Sequence, residues 1–132
     1  MTNEERKLFM EELCKRLPYG VKVNVCKGKP DDHFEITDNV LTLSQMNLDT
    51  AICGFKEVFY HVFAANVRPY LRPMMPMTEA EVNEYFGLLE RDGDNLHETF
   101  ESVGWLYENH FDCMGLIGKG LALEAPDGMY SK

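Results

Sequence analysis

The chain has 132 residues, of which 45% are hydrophobic and 27% charged, and its formal net charge is −9. This length and composition are typical of one globular domain and argue against a disordered chain. The negative charge and the lack of clustered Lys and Arg disfavour direct nucleic-acid binding.

Targeting and redox signals are weak. The N-terminal stretch MTNEERKLF is charged and lacks the apolar core of a signal peptide, and no apolar run approaches the roughly 18 residues of a membrane span. The cysteines, Cys14, Cys26, Cys53 and Cys113, contain no C-x-x-C pair. We therefore expect a cytoplasmic protein with free thiols and no membrane association.

The N-terminal residues predict a helix. Thr2 and Glu5 form a capping box, in which two side chains satisfy amide donors at a helix start. Phe9 and Leu13 then lie on one apolar stripe across residues 3–17. The Pro-Tyr-Gly sequence that follows is typical of a helix end.

Residues 21–63 predict a small antiparallel sheet. Valines alternate with other residues over 21–25, which predicts a half-buried strand. Residues 34–36 and 40–43 flank the turn pair Asp38-Asn39, a pattern that predicts a tight hairpin. Residues 45–54 are ambiguous between a short strand and an irregular crossing.

The segment Phe55–Phe63 is dense in β-branched and aromatic residues. As a strand it would place Phe55, Phe59 and Phe63 on one face, and we favour this interpretation. A helix over residues 55–66 is the alternative, because periodicity does not decide such a short apolar run.

Residues 67–77 predict an irregular hinge. Pro69, Pro73 and Pro76 fix φ, remove backbone donors and push the preceding residues out of helical geometry. The hinge divides a single domain, residues 1–132, into a helix-and-sheet part at 1–66 and an acidic helical part at 78–132.

The acidic part predicts two helices and a packed tail. Residues 73–132 hold three Lys or Arg against twelve Asp or Glu, whereas residues 1–72 hold ten of each, so the whole net charge of −9 lies in the second part. Thr78 and Glu81 form a second capping box. Buried faces are predicted by two periodic series, the first over Val82, Tyr85, Phe86 and Leu89 and the second, capped by Asp94 or Asn95, over Leu96, Phe100, Val103 and Tyr107.

The predicted fold class is therefore α+β: an N-terminal helix, an antiparallel sheet of about four strands, two C-terminal helices and a packed tail. Antiparallel order is expected because the connections are too short for crossover helices. The predicted core comprises Phe9, Leu13, Val23, Val25, Ile36, Leu41, Phe59, Phe86, Phe100 and Trp105.

The hinge carries the candidate interaction surface. Arg68, Tyr70 and Arg72 alternate with other residues, so an extended chain would project them to one side. Arg and Tyr are enriched among residues that dominate interfaces, and Met74 and Met75 add adaptable apolar surface. The alternative is structural: the arginines bond to the acidic helices while Tyr70 packs beneath them.

Catalytic and ligand-binding motifs are poor matches. His110, Asp112 and Cys113 could form a Cys–His pair with a carboxylate, and Cys53 with His61 is a second such pair. Adjacent residues on one turn point in different directions, so structural roles are favoured. Asp92, Asp94 and Glu98 lack the spacing of a calcium loop, and Gly118-Lys119-Gly120 lacks the pattern of a phosphate-binding loop. No cofactor or metal is expected.

Three blocks of the chain resemble a known family. They are LCKRLPYGVKVNV, VRPYLRPMMPMTEAEVNEY and WLYENHFDCMGLIGKGLALEAPDGMY, which cover roughly half of the sequence. The chain resembles small uncharacterised proteins common in gut Bacteroidales genomes, often in prophage-like or other mobile regions. Members often have an aromatic residue and an arginine where this chain has Cys113-Met114, which counts against a catalytic thiol. The resemblance implies a bacterial or phage origin and a cytoplasmic setting, and no activity.

The leading hypothesis is a non-enzymatic protein–protein interaction factor that binds an unidentified partner or itself. The acidic part could engage a basic surface. A small enzyme using Cys or His is one alternative, and an acidic nucleic-acid mimic that inhibits a DNA-binding protein is another.

Overall fold

The computed structural model describes residues 2–28, 34–35, 37, 39–74, 77–93 and 101–130. These residues contain the helices α1 (Asn3–Arg16), α2 (Glu79–Gly93) and α3 (Glu101–Glu108). They also contain the strands β1 (Lys22–Val25), β2 (Lys27–Gly28), β3 (Phe34–Glu35), β4 (Leu41–Asn47), β5 (Ile52–Phe55), β6 (Val62–Phe63), β7 (Val67–Leu71) and β8 (Leu123–Glu124). Short 3₁₀ turns cover Leu17–Tyr19 and Ala64–Asn66.

The predicted α+β class is confirmed, but the sheet is larger and mixed. Six strands form it in the order β6-β5-β4-β1-β7-β8, and β2 pairs separately with β3. Neighbouring strands are antiparallel except β7 and β8, which are parallel. The prediction of about four strands is only roughly right, because β7 and β8 come from the segments expected to be hinge and tail.

The predicted hinge is corrected at its start, where β7 runs between β1 and β8. Pro69 lies opposite Val23. Cys26 N donates to Asn66 O at 2.7 Å. In an antiparallel ladder, hydrogen-bonded residue pairs alternate with pairs that have no backbone hydrogen bond. Since Cys26 and Asn66 are hydrogen-bonded, Val23 and Pro69 form a pair without a backbone hydrogen bond. The missing N–H of the proline therefore costs no bond to β1.

The predicted hairpin over residues 34–43 is wrong. Phe34 and Glu35 pair with β2, whereas β4 pairs with β1 and β5. The physical reason is the buried Asn24, whose Nδ2 donates to the carbonyl oxygens of Thr37 and Asn39 at 2.6 and 3.0 Å. These bonds hold Thr37 and Asn39 at β1, and β4 pairs with β1 directly after them.

The continuous strand predicted over Phe55–Phe63 is also wrong, and no helix replaces it. β5 ends at Phe55, residues 56–61 form a loop, and β6 begins at Val62. Phe55 is buried, whereas Phe59 is fully exposed and Phe63 is 61% exposed. The three rings therefore do not share one face.

The helix caps agree with the prediction. Thr2 and Glu5 form the capping box of α1, and α1 ends where the 3₁₀ turn begins, followed by Gly20 with φ of 67°. Thr78 N donates to Glu81 Oε1 at 3.0 Å and Glu81 N donates to Thr78 Oγ1 at 3.2 Å. Both helices therefore begin where their caps predict.

The main core joins both parts of the chain. Its buried residues are Phe9, Leu13, Val21, Val23, Leu41, Leu43, Cys53, Phe55, Ala64, Val67, Leu71, Leu116, Leu121 and Ala122. A second cluster of Leu88, Trp105, Leu106 and Phe111 joins α2 to α3 and the tail. Residues 1–66 and the tail thus bury each other's apolar side chains.

Five of the ten predicted core residues are buried, namely Phe9, Leu13, Val23, Leu41 and Trp105, and two of the predictions are wrong. Phe59 lies on the exposed loop after β5. Phe86 is 58% exposed because α2 contacts α3 through Leu88 instead. Val25 is half-buried against the main core. Predicted features that lie outside the described residues are Ile36, Asp38, Met75, Pro76, Asp94, Asn95, Leu96, Glu98 and Phe100.

Candidate functional site

The candidate interaction residues lie along β7 and its exit, in different environments. Arg68 is 7% exposed, whereas Tyr70 is half-buried. Arg72 follows the strand, and Met74 packs against the second cluster. Whether these residues bind a partner stays a prediction, but they do not form a single exposed row.

Arg68 is held by the backbone around it. Its Nη1 donates to the carbonyl oxygens of Ala65 and Val67 at 2.9 and 2.8 Å. The guanidinium lies 5.5 Å from the centroid of the Phe9 ring. The Arg68 guanidinium therefore packs against Phe9 of α1.

Arg72 does meet an acidic helix. Its Nη2 lies 2.8 Å from both carboxylate oxygens of Glu81, and its guanidinium lies 4.2 Å from the Phe111 ring centroid. Burial by itself raises the pKa of Glu81, but hydrogen bonds from the Thr78 amide and from Arg72 outweigh it and hold that pKa below its usual value. Glu81 is therefore ionised at neutral pH and neutralises Arg72.

Next to this ion pair is a cavity of about 490 Å³, which we call the acidic cleft. It lies between the start of α2, the end of α3 and tail residues 124–130. Its charged lining residues are Arg72, Glu81, Glu84, Glu124 and Asp127, and Trp105, Asn109 and Tyr130 contribute to its walls. Four carboxylates against one guanidinium leave three net negative charges in the cleft.

Tyr130 ties the tail wall of the cleft to the sheet. Its hydroxyl accepts from Lys22 N at 2.8 Å and donates to Tyr70 O at 2.7 Å. Its ring stacks on His110 with centroids 3.7 Å apart. Burial raises the pKa of Tyr130 above its usual value, so the hydroxyl remains a donor. The wall is thus fixed to β1 and β7.

Metal-ligand geometry is absent from the described residues. Within the described ranges, no three His, Cys, Asp or Glu side chains converge as they would to hold one metal ion.

The proposed Cys–His pair near residue 110 is not assembled. The carboxylate of Asp112 accepts from Leu116 N and Ile117 N at 2.7 and 2.9 Å, which makes it a cap for the following turn. The Nδ1 of His110 is buried and has no hydrogen-bond partner. The carboxylate is therefore used by the turn and does not orient the imidazole.

The second pair, Cys53 and His61, is also kept apart. Cys53 is completely buried, and burial raises the pKa of its thiol to about 11. The His61 ring instead packs over Gly54, where an added Cβ would lie 3.0 Å from its Cδ2 atom. Because the thiolate is the nucleophilic form, Cys53 is an unreactive core residue.

Sequence reasoning missed a buried polar group between α1 and α3. Tyr107 donates to Glu12 Oε2 at 2.5 Å, and Arg16 donates to Phe111 O at 2.9 Å. Glu12 and Arg16 are 1% and 0% exposed, and the Arg16 guanidinium lies 4.7 Å from the Tyr107 ring centroid. Their i, i+4 spacing fits an ordinary surface pair, so nothing in the sequence marks them as buried.

Comparison with protein-family models, with curated proteins and with solved structures finds no match for the chain. Among the described residues, no helix has both the length and the apolar character needed to cross a membrane.

Proposed function

We propose that this protein is a non-enzymatic interaction factor whose acidic cleft binds a basic segment of a partner protein. The observation that carries the proposal is the meeting of Glu81 and Glu84 from α2 with Glu124 and Asp127 from the tail around one cavity. Two segments about forty residues apart in sequence contribute to the same recess, so the charge is concentrated by the fold.

The lining suits a guanidinium or ammonium group. Trp105, Asn109 and Tyr130 line the recess beside its carboxylates. Glu81 is already paired with Arg72, which leaves Glu84, Glu124 and Asp127 to meet charges on a ligand. Lys or Arg side chains of one segment would pair with these carboxylates.

The charge of the whole chain supports the same partner class. With a formal net charge of −9, the protein attracts basic partners over distances of about a Debye length, roughly 8–10 Å in physiological salt. Such attraction accelerates association and gives specificity. An acidic nucleic-acid mimic remains the second candidate, because it would use the same negative charge against a DNA-binding protein.

Affinity capture from a native lysate tests the proposal. The bait is compared with Glu84→Lys/Asp127→Lys, which reverses two cleft charges, and with Glu79→Lys/Glu90→Lys, which makes the same net change on α2 outside the cleft lining. Far-UV circular dichroism checks that each variant is folded.

We expect proteins with basic segments to be captured by the wild type and the control and lost with the cleft variant. Release of captured DNA-binding proteins by duplex DNA would favour the mimic. Capture of the same proteins by all three baits, or of none, would contradict the proposal.

A further inference from the structure

Residues 126–130 are attached to the rest of the protein by one side chain. Residues 126–128 are exposed, and their turn is closed internally by Met129 N, which donates to Pro126 O at 3.1 Å. Among the described residues, the hydrogen bonds that join 126–130 to other segments are all made by the Tyr130 hydroxyl. The segment therefore has a single polar anchor.

That hydroxyl lies where a backbone hydrogen bond between β1 and β7 would otherwise form. Val23 and Pro69 are a pair without a backbone hydrogen bond, so the next pair, Lys22 and Tyr70, is at a hydrogen-bonding position. The Tyr130 hydroxyl occupies this position, since it accepts from Lys22 N at 2.8 Å and donates to Tyr70 O at 2.7 Å. One hydrogen bond of the ladder is thus replaced by a side chain from the tail.

Release of Tyr130 would leave neither backbone group without a partner. The Lys22 amide could donate directly to the Tyr70 carbonyl oxygen once the two strands move together, so no polar group would stay buried and unpaired. The Tyr130 ring covers the His110 imidazole, whose buried Nδ1 has no hydrogen-bond partner in the described part of the chain. Water would reach this nitrogen after release, so both changes favour release and oppose the burial of the tyrosine ring.

We propose that Tyr130 is a latch: its hydroxyl holds residues 126–130 on the sheet, and its release removes Asp127 from the acidic cleft. The preceding residues stay in place, because β8 pairs with β7 and Ala125 N donates to Leu71 O at 2.8 Å. Tyr130 is thus a positioning residue, which acts on a ligand of the cleft through Asp127.

The effect of the latch on binding rests on the proposed function of the acidic cleft. With the latch released, the cleft keeps Glu84 and Glu124 but loses Asp127 and Tyr130 from its lining. A basic segment that contacts Asp127 therefore binds the latched state more tightly. By linkage, its binding keeps Tyr130 attached.

The His110 imidazole reports the state of the latch within the folded protein. Burial, followed by the charges of Arg16, Arg72 and Lys22, lowers the pKa of His110 to about 4, whereas an exposed histidine titrates near pH 6.5. Because the released state takes up the proton more readily, a tenfold more frequent release raises the apparent pKa by up to about one unit.

NMR titration of His110 compares the wild type with Tyr130→Phe, which removes only the hydroxyl, and with Tyr130→Ala, which also removes the ring. Tyr60→Phe, at a half-exposed tyrosine, is the control, and the dispersion of the amide spectrum shows that each variant is folded. We expect the pKa of His110 to rise by up to about one unit in Tyr130→Phe, as for a tenfold effect of two hydrogen bonds, to rise further in Tyr130→Ala, and to stay unchanged in the control.

Tyr130→Phe decides the outcome by itself. An unchanged pKa of His110 in this variant would overturn the latch, because ring packing alone would then hold the segment. An equal rise in the Tyr60→Phe control would overturn it too.

A double-mutant cycle tests the effect on the cleft, with a peptide of alternating arginine and glycine as the ligand and Trp105 fluorescence as the signal. Tyr130→Ala and Asp127→Asn should each weaken binding severalfold, and the two together should weaken it no further, because the released segment has already removed Asp127. Additive losses would overturn the control of the cleft by the latch. If the wild type does not bind the peptide, the proposed function fails, and the His110 titration still decides whether Tyr130 is a latch.

Discussion

His110 lies among positive charges and stacks on Tyr130. Burial, together with the nearby charges of Arg16, Arg72 and Lys22, lowers the pKa of His110 to about 4. Unfolded histidine takes up a proton near pH 6.5. Between these two values the unfolded state binds more protons than the folded state, so stability falls as the pH is lowered.

We therefore predict that the free energy of unfolding decreases from about pH 6.5 to about pH 4, and that His110→Asn flattens this decrease. Asn is chosen because φ at His110 is 64°, a conformation that Asn tolerates. Urea unfolding at several pH values measures the slope. His61→Asn, at an exposed histidine, is the control, and an unchanged slope in His110→Asn would refute the prediction.

A substitution at Gly54 tests whether the His61 ring packs over this glycine and therefore away from the Cys53 thiol. In Gly54→Ala the new Cβ would lie 3.0 Å from His61 Cδ2 and 3.3 Å from Gln45 Cβ. We expect a loss of stability of about 1 kcal/mol from overpacking. Thermal unfolding should show partial recovery in Gly54→Ala/His61→Ala, because the smaller side chain removes one of the two contacts. No coupling between the two substitutions would show that the ring does not pack there.

For single residues, the sequence predicted the distribution of charge along the chain better than the burial of individual side chains. The acidic charge of the second part is visible in the sequence, and four of its twelve carboxylates line the cleft. The burial of Arg68 could not be predicted, because the alternation of residues along a strand does not reveal a backbone acceptor such as Ala65 O. A charge reversal at Arg68 would bury a carboxylate among carbonyl groups, so it tests folding as much as binding.

One buried hydroxyl, that of Tyr107, joins α3 to Glu12 of α1. Burial, and then the hydrogen bond to Glu12, raise the pKa of Tyr107 above its usual value, so the phenol keeps the proton that it donates. In Tyr107→Phe the buried carboxylate loses its closest donor.

We predict that Tyr107→Phe lowers the free energy of unfolding by about 2 kcal/mol, as expected for a hydrogen bond to a charged buried group. Denaturant unfolding measures the change. Tyr60→Phe removes the hydroxyl of a half-exposed tyrosine and should change stability by less than about 0.5 kcal/mol. Similar values for the two variants would show that the Glu12 contact contributes little.

The elements that could be predicted are those with local signals. Both capping boxes mark real helix starts, and alternating valines mark β1. β7 was missed because a proline argues against a strand unless its pairing position is known. β8 was missed because a strand of two residues is too short to show an alternating pattern of apolar residues. The break at residues 56–61 was missed because a β-rich composition does not reveal where a chain leaves the sheet.

At the scale of the whole molecule, β7 runs between two cavities, the acidic cleft at its exit and a second cavity near its start. Arg72 is neutralised by Glu81 in the acidic cleft, and Arg68 is among the lining residues of the second cavity. The sequence could predict the total charge and its position in the second part. It could not predict that residues near 81 and 124 line one recess, because only the packing of the tail on the sheet brings them together.

The most direct test of the proposed cleft function uses Trp105, the one tryptophan of the chain, which lines the acidic cleft. Its fluorescence is recorded during titration with a peptide of alternating arginine and glycine. A peptide of alternating glutamate and glycine serves as the charge control. We predict a saturable change with the arginine peptide alone, with affinity reduced about tenfold, or roughly 1.4 kcal/mol, in Glu84→Gln/Asp127→Asn and kept in Glu79→Gln/Glu90→Gln. No saturable change, or equal weakening in both variants, would contradict the account.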